Sequence, residues 1–165
     1  KDFGMRVAAM SRSLTEEEGA SRGYDRVFRR EDMIDVIAES DAVVLCVPHT
    51  PETEKMIDDP IFKAMKPGCV LVNIARGQVV DEEAMIEALK SRHLGFAALD
   101  VVAIEPLAAE SPLWDLTNVL ISPHSASTVD TENELITNLF IHNMDCMLND
   151  TPDQMKNRFD TIRGY

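Results

Sequence analysis

The stretch Val70–Asp81 constrains the fold of this chain more than any other part of it. Val70–Ile74 is a short apolar run that can be buried on both faces, as in a strand of a parallel sheet. Arg76 then falls at the carboxyl end of that strand, where open α/β sheets bind their ligands. Asp81 and the two glutamates after it open a helix with carboxylates at its positive end. A guanidinium held there suits a planar carboxylate or keto acid, although an arginine that only ties down a loop gives the same pattern.

The rest of the chain alternates between apolar, strand-like runs and short helical patterns. The predicted strands are Met5–Met10, Val27–Phe28, Asp41–Val47, Cys69–Ile74, Gly95–Leu99 and Asn118–Ile121. The predicted helices are Asp32–Ala38, Asp59–Met65, Glu82–Ser91 and a long one over Thr128–Leu148, while Leu14–Arg26 is a polar loop with a turn of helix. This alternation predicts βαβ units and a parallel sheet in one domain.

Charge and composition exclude several classes of partner. The 165 residues contain 29 acidic and 16 basic side chains, a formal net charge of −13, which disfavours nucleic acid and anionic membrane as partners. The sequence has neither a transmembrane-length apolar run nor a visible signal peptide. Cys46, Cys69 and Cys146 lack metal-site spacing, and we expect reduced, mostly buried thiols in a cytoplasmic protein.

Polar and charged residues follow four of the predicted strands. They are Pro48–Thr53, Arg76–Gly77, Asp100–Glu105 and Pro123–Ala126. Because the carboxyl ends of parallel strands share one edge of a sheet, we expect Arg76, Glu105 and His124 to line one crevice. Arg76 would hold a carboxylate, His124 would donate or accept a proton, and Glu105 would fix the imidazole tautomer. Reduction of a 2-keto acid needs these functions and a hydride source.

At these motifs the sequence resembles the nucleotide-binding domain of the D-isomer-specific 2-hydroxyacid dehydrogenases. The matching pieces, within about residues 1–150, are Val47–Thr53, Met65–Gly68, Asn73–Gly77 with Val80–Asp81, Ala98–Asp100 with Glu105–Leu107, Pro112–Trp114 and Asn118–His124. Several linked motifs in one order are far more specific than a single short pattern. The resemblance implies a doubly wound parallel α/β sheet over residues 1–150, with residues 151–165 as a tail that leads back towards a substrate domain.

The resemblance also implies a role for individual residues. Arg76 would bind substrate, Glu105 would orient the histidine, and His124 would be the acid/base. The implied cofactor contacts are Asp100 at the nicotinamide carboxamide, Val47, Pro48 and Thr53 along the adenosine half, and Ala75 and Ala126 near the nicotinamide. Taken alone, His124 could be a core histidine, Asp100 a cap and Glu105 a plain loop acid. No metal site is expected.

The sequence departs from the family in what precedes its first predicted strand. The family places a G-x-G-x-x-G loop after an initial strand, and no such motif occurs here. Lys1–Phe3 resembles the end of the helix after that loop, so we expect further sequence upstream. The expected missing strand would lie between Met5–Met10 and Ala42–Val47. We therefore predict that this piece alone is inactive and poorly stable.

The second departure concerns the choice of cofactor. Where NAD users carry an acidic residue for the ribose hydroxyls, this chain has Ser11 and Arg12. A hydroxyl and a guanidinium suit a 2′-phosphate, so NADP(H) is favoured over NAD, unless Arg12 simply points into solvent.

The expected function is hydride transfer between NADP(H) and a small 2-keto or 2-hydroxy acid, such as glyoxylate or hydroxypyruvate, in a homodimer. The alternatives are an NAD-linked phosphoglycerate-type dehydrogenase and a nucleotide-sensing binding protein of the same family. Fold analogy does not choose among these functions.

Overall fold

The structure, a computed structural model, describes residues 3–126, 128–159 and 161, and contains six strands and five α-helices in that part of the chain. The strands are β1 (Ala8–Met10), β2 (Arg26–Phe28), β3 (Ala42–Leu45), β4 (Cys69–Asn73), β5 (Leu94–Leu99) and β6 (Val119–Ile121). The helices are α1 (Glu16–Ser21), α2 (Met33–Ala38), α3 (Asp59–Ala64), α4 (Glu82–Lys90) and α5 (Glu132–Leu148).

The strands form two sheets in which every pairing is parallel. One sheet has the order β1-β2 and the other β3-β4-β5-β6. In the larger sheet Val44, Val72, Ala98 and Leu120 are successive partners across the four strands. The predicted α/β class with a parallel, Rossmann-type sheet is confirmed. Within the described ranges β1 and β3 are not paired with each other, and the strand expected between them stays a prediction.

The core lies between one face of the larger sheet and helices α2, α3 and α4. Its largest side chains, each at most 2% exposed, include Phe62, Leu71, Leu89, Leu94 and Leu113. Aliphatic side chains removed from water in this way supply most of the folding free energy. This packing fixes β4 and β5 rigidly and thereby fixes the positions of the loops at their carboxyl ends.

The other face of the larger sheet remains open. Val44, Ile74, Phe96 and Leu120 are 57%, 46%, 37% and 59% exposed, and no described element covers them. The prediction that Val70–Ile74 is buried on both faces is therefore wrong within the described part of the chain. The residues of β4 alternate between buried and half-buried, as in a strand that has helices on only one face of its sheet.

Three predicted boundaries also need correction. Met5–Met10 is a strand only from Ala8, because its partner β2 has three residues and Val7 donates its N–H to the Asp25 carboxylate instead. The loop over Leu14–Arg26 contains the full helix α1, which begins with a capping box between Thr15 and Glu18. The long helix begins at Glu132, not Thr128, because the backbone before it forms turns.

The helices that flank the site begin where capping residues predict. Asp58 accepts the N–H of Ile61 ahead of α3, whose second residue is proline, and Asp81 accepts the N–H of Ala84 ahead of α4. These side chains satisfy N–H groups that lack a partner within the helix. Asp81 also lies 3.1 Å from Lys55, so the start of α4 is tied to the loop after β3.

The cysteines only partly follow the prediction. Cys69 and Cys146 are buried free thiols, whereas Cys46, the residue just beyond the end of β3, is exposed. Lys1, Asp2, Ser127, Asp160 and Ile162–Tyr165 lie outside the described residues, so the helix end expected at Lys1–Phe3 and much of the expected tail are not tested. No helix in the described ranges combines the length and apolar content needed to cross a membrane.

Candidate functional site

Loops that follow β5 and β6 bring two of the predicted catalytic residues into direct contact. The Nδ1 of His124 lies 2.8 Å from the Oε2 of Glu105. Their side chains are 45% and 39% exposed, so the pair opens to solvent on one side. With Nδ1 engaged by the carboxylate, Nε2 is the ring nitrogen that remains to exchange a proton with a ligand.

Glu105 is held as an anion by its surroundings. The hydrogen bond to His124 is the largest cause that lowers the pKa of Glu105, followed by the Val102 N–H, which donates to Oε1 at 3.2 Å. The positive charges of His124 and Arg76 lower it further. Arg76 therefore lies within electrostatic reach of the pair.

Asn73, the last residue of β4, shapes the turn that presents Arg76. Its buried side chain donates to the Arg76 carbonyl at 3.1 Å and accepts the Ala75 N–H at 3.0 Å. The Arg76 guanidinium donates to the Ala75 carbonyl at 2.6 Å and is otherwise exposed at the sheet edge. Ala75 is 6% exposed, so of these two neighbours only Arg76 can reach a ligand with its side chain.

The loop that carries Glu105 is held by the segment between β4 and α4. Gln78 donates to the Ala103 carbonyl at 2.9 Å, and Glu82 accepts the Ala103 N–H at 2.9 Å. Gly77 packs directly against the same loop, because a Cβ built there would lie 1.9 Å from the Val102 carbonyl oxygen. These contacts couple the position of Arg76 to that of Glu105.

Asp100 lies at the end of β5 and is 7% exposed. Its Oδ1 accepts the Ser122 hydroxyl at 2.5 Å and the Ser125 N–H at 2.8 Å, and its Oδ2 accepts the Ala126 N–H at 2.8 Å. The Ser122 hydrogen bond is the largest cause that lowers the pKa of Asp100, and the two backbone N–H groups add to it. Asp100 therefore anchors the loop on either side of His124.

A small cavity of about 150 Å³ lies beside Asp100 on the open face of the sheet. Its wall is mainly aliphatic, and its lining residues include Ile74, Ala98, Leu120 and Ala126. An apolar wall with a few polar groups at one end is typical of a site for a flat ring. Ala126 lines this cavity, whereas Ala75 is buried and is not one of its lining residues.

A second group of predicted residues lies at the end of β1. The Ser11 hydroxyl accepts the N–H groups of Leu14 and Ser13 at 3.0 and 3.3 Å, and the Arg29 guanidinium donates to the Ser11 carbonyl. A cavity of about 460 Å³ opens beside them, lined by Ala9, Met10, Ser11, Ser13, Leu14, Glu18, Arg22 and Tyr24. Arg12 is exposed at this point.

The loop after β3 completes this group. The Thr53 hydroxyl donates to the Pro48 carbonyl at 2.7 Å and accepts the Thr50 N–H at 2.8 Å, which closes the turn that starts beyond Val47. A hydrogen bond with Thr50 is the first cause that lowers the pKa of Glu52, and the charges of Arg12 and Arg30 lower it further. Arg12 thus lies close to the Pro48–Thr53 loop.

Apart from the buried Ala75, the predicted residues therefore fall into two groups. Arg76, Glu105, His124, Asp100 and Ala126 form one group at the ends of β4, β5 and β6, and Ser11, Arg12, Val47, Pro48 and Thr53 form the other at the ends of β1 and β3. Such a pair of sites fits the two ends of a dinucleotide, with an apolar cavity at one end and cationic residues at the other. The described residues contain no cluster of three or more His, Cys, Asp or Glu side chains able to hold a metal ion.

Sequence reasoning missed the side chains that support the site, namely Asn73, Gln78, Glu82 and Ser122. Asn73 gave the clearest signal, because a polar residue that ends an apolar strand commonly bonds to the turn that follows. The other three form contacts with partners 21 to 25 residues away, which no local pattern reveals.

The comparison with family models gives a match over most of the chain. Residues 1–126 match the model described as the NAD-binding domain of D-isomer specific 2-hydroxyacid dehydrogenases. The glyoxylate reductase of Thermococcus onnurineus is 40% identical over 159 residues, which cover 96% of this chain and 46% of that protein. The chain spans about half the length of the curated relatives it matches first.

Solved structures of similar fold include several with bound cofactor. A D-isomer specific 2-hydroxyacid dehydrogenase from Xanthobacter autotrophicus Py2, in complex with NADPH and MES, has a TM-score of 0.81 and 32% identity, covering 98% of this chain and 73% of that one. The NADPH-dependent glyoxylate/hydroxypyruvate reductase of Sinorhizobium meliloti, with NADP and malonate, has a TM-score of 0.75 and 28% identity, covering 89% and 44%.

Proposed function

The chain belongs to the family of D-isomer specific 2-hydroxyacid dehydrogenases, and we propose that it is the cofactor-binding part of an enzyme that reduces a small 2-keto acid with NADPH. The observation that carries this proposal is the contact of His124 with Glu105, at 2.8 Å, beside Arg76. A proton donor, its orienting carboxylate and a carboxylate-binding cation are what the reaction needs from the protein.

Each residue of this group has a distinct task in the proposed reaction. Arg76 binds the substrate carboxylate and polarises the adjacent carbonyl. The Nε2 of His124 donates a proton to the carbonyl oxygen, while Glu105 holds Nδ1 and stabilises the imidazolium. When bound, the reduced nicotinamide supplies a hydride for the carbonyl carbon. The product is the 2-hydroxy acid, and His124 recovers its proton from solvent through its exposed side.

The preference for NADPH over NADH rests on the group at the end of β1. A 2′-phosphate carries negative charge into a chain whose formal net charge is −13, so it requires local cations. We propose that the adenosine ribose binds beside Ser11 and Arg12, which follow β1 and have Arg29 and Arg30 nearby. Forked guanidinium groups bind phosphate with geometry that a ribose hydroxyl does not match.

We propose glyoxylate or hydroxypyruvate as the substrate. Both carry a carboxylate next to the reducible carbonyl, which suits a site with one guanidinium. Relatives named glyoxylate reductase and a structural neighbour named glyoxylate/hydroxypyruvate reductase support the same chemical class.

We also propose that the protein functions as a homodimer. The 17-residue helix α5 exposes a large apolar surface formed by Leu135, Ile136, Phe140, Ile141, Met144, Met147 and Leu148. Apolar patches of this kind on soluble proteins commonly pack against another subunit or domain. Sedimentation of the full-length gene product measures the oligomeric state directly, and a monomer at micromolar concentration would contradict this proposal.

The enzyme proposal is tested by the full-length gene product with glyoxylate and hydroxypyruvate as acceptors. The expected result is oxidation of NADPH with kcat/KM well above that for NADH. Turnover that prefers NADH would support the proposed dehydrogenase activity but contradict the proposed role of Ser11 and Arg12. Cofactor binding without turnover of any 2-keto acid would contradict the enzyme and favour a nucleotide-sensing protein.

A further inference from the structure

We infer that Asp100 and Ser122 are positioning residues that fix the loop Ser122–Ala126 and thereby the direction of the His124 ring. Neither residue has to touch the substrate for this role. The inference rests on the proposed function, because it assigns a purpose to the exact placement of His124.

The first observation is the convergence of three donors on one carboxylate. The Ser122 hydroxyl donates at 2.5 Å, and the N–H groups of Ser125 and Ala126 donate at 2.8 Å each. One donor precedes His124 in the chain and two follow it, so the histidine is tied down on both sides. Asp100 itself is only 7% exposed and continues from the core strand β5.

The second observation is the backbone conformation of His124. Its φ is +52°, in the left-handed region that residues with a Cβ rarely adopt. A non-glycine residue keeps such a conformation only where the surrounding contacts determine it. The anchored N–H groups of Ser125 and Ala126, directly after it, supply those contacts.

A carboxylate is the side chain that this arrangement requires. Backbone N–H groups can only donate, so each oxygen facing them has to accept. In Asp100→Asn the amide NH₂ would face either the Ala126 N–H or the Ser125 N–H, which places two donors opposite each other. Removal of the hydroxyl in Ser122→Ala instead leaves the carboxylate intact with two of its three partners.

The hydrogen bonds within the protein give Asp100 a role in addition to the implied cofactor contact. The resemblance implies that Asp100 contacts the nicotinamide carboxamide, and three of about four acceptor positions on an ionised carboxylate are used within the protein. The remaining position on Oδ2 is compatible with that contact. Ser122 donates to the Oδ1 of Asp100, the oxygen that also accepts the Ser125 N–H, so removal of its hydroxyl tests positioning without deleting the acidic group.

The experiment compares Ser122→Ala, Ser122→Thr and Ser40→Ala in the full-length gene product. Ser40 is the matched control, because its half-buried hydroxyl also donates to one acceptor, the Val36 carbonyl at 2.7 Å, but at the end of α2. We expect Ser122→Ala to lower kcat about tenfold, with KM for the keto acid and Kd for NADPH within about twofold, since small misplacement of a reacting group is costly. Ser122→Thr retains the hydroxyl and restores kcat, and Ser40→Ala leaves kcat unchanged.

Wild-type kcat in Ser122→Ala, or a fall in kcat that Ser122→Thr does not restore, would overturn the inference.

Amide hydrogen exchange of Ser125 and Ala126 gives a second test that needs no turnover. Faster exchange at both amides in Asp100→Asn, with exchange in β4 and β5 unchanged, is expected, and unchanged exchange at Ser125 and Ala126 would overturn the inference. If the wild-type protein turns over no 2-keto acid, the proposed function fails, while the exchange experiment still decides the anchoring role.

Discussion

Asp100 stays ionised in the folded protein because its carboxylate accepts one hydroxyl and two backbone N–H groups. The Ser122 hydrogen bond is the first cause of its lowered pKa, and the Ala126 and Ser125 N–H groups are further causes. Since the folded-state pKa lies below the unfolded one, ionised Asp100 stabilises the fold at neutral pH. That contribution is complete above the unfolded pKa of about 3.9 and is lost as the pH falls through the folded value.

Asp100→Asn is therefore expected to destabilise the protein at pH 7 by about 1 kcal/mol, the lower end of the cost of a donor left without an acceptor, because Ser125 and Ala126 are exposed residues. The difference from wild type should begin to shrink below about pH 4, where the unfolded chain takes up a proton at Asp100, and should continue to shrink as the pH falls towards the lowered pKa of the folded state. Chemical denaturation of both proteins at pH 7 and pH 3.5 measures this. A difference in unfolding free energy that is equal at the two pH values would contradict the account of Asp100.

The proposed preference for NADPH depends on the side chain of Arg12, at the proposed binding site of the adenosine ribose. In Arg12→Ala we expect KM for NADPH to rise about tenfold and KM for NADH to change little, because only the 2′-phosphate loses a charge-assisted hydrogen bond. Arg26→Ala is the matched control, since Arg26 is an exposed arginine in β2, the strand that pairs with β1. Steady-state kinetics with both cofactors measures the effect, and equal increases for NADPH and NADH would exclude specific binding of the phosphate.

At the scale of elements, the turn between β4 and α4 and the loop after β5 act as one unit. Gly77 lies against the Val102 backbone, and Gln78 and Glu82 bond to the Ala103 backbone on either side of that contact. The φ of Gly77 is not in the left-handed region, so close approach and not backbone conformation requires glycine here. The unit holds the segments of Arg76 and Glu105 at a fixed separation.

Gly77→Ala should push these two segments apart. A Cβ would lie 1.9 Å from the Val102 carbonyl oxygen, and backbone on both sides has to move. We expect a loss of about 1–3 kcal/mol in unfolding free energy, as in other overpacked sites, together with a fall in kcat. Thermal unfolding and steady-state kinetics of the variant test this, and wild-type values for both would show that the loop adapts without cost.

The sequence predicts those site residues that follow the ends of strands. The ends of β4, β5 and β6 were predicted to within two residues, and this placed Arg76, Glu105 and His124 at one edge. The start of α5 was wrong by four residues, because apolar periodicity does not distinguish a turn from the first turn of a helix. The Ser122–Asp100 and Glu82–Ala103 bonds could not be predicted, since they depend on which strands become neighbours.

At the scale of the whole molecule, the larger sheet has helices on one face and an open apolar surface on the other. Val44, Ile74, Phe96 and Leu120 lie on that surface, and α5 exposes a further apolar stripe. Sequence periodicity predicted which residues are apolar but not which face is covered, because that depends on elements packed against it. Exposed apolar surface of this extent favours association or partial unfolding of the chain by itself.

The 165-residue chain alone is accordingly predicted to be poorly stable and inactive. Dye binding to exposed apolar surface, size-exclusion chromatography and NADPH oxidation by the purified chain measure these properties. We expect strong dye binding, association at micromolar concentration and no turnover. A monomeric chain that reduces a 2-keto acid would contradict this prediction.

We propose that His124 donates the proton in the reduction of a 2-keto acid. The most direct measurement is the single-turnover oxidation of NADPH with glyoxylate or hydroxypyruvate by wild-type and His124→Gln forms of the full-length gene product. We predict a fall in rate of about 100-fold or more, with Kd for NADPH unchanged, because general acid catalysis contributes on that order. A His124→Gln variant that retains the wild-type rate would contradict the claim.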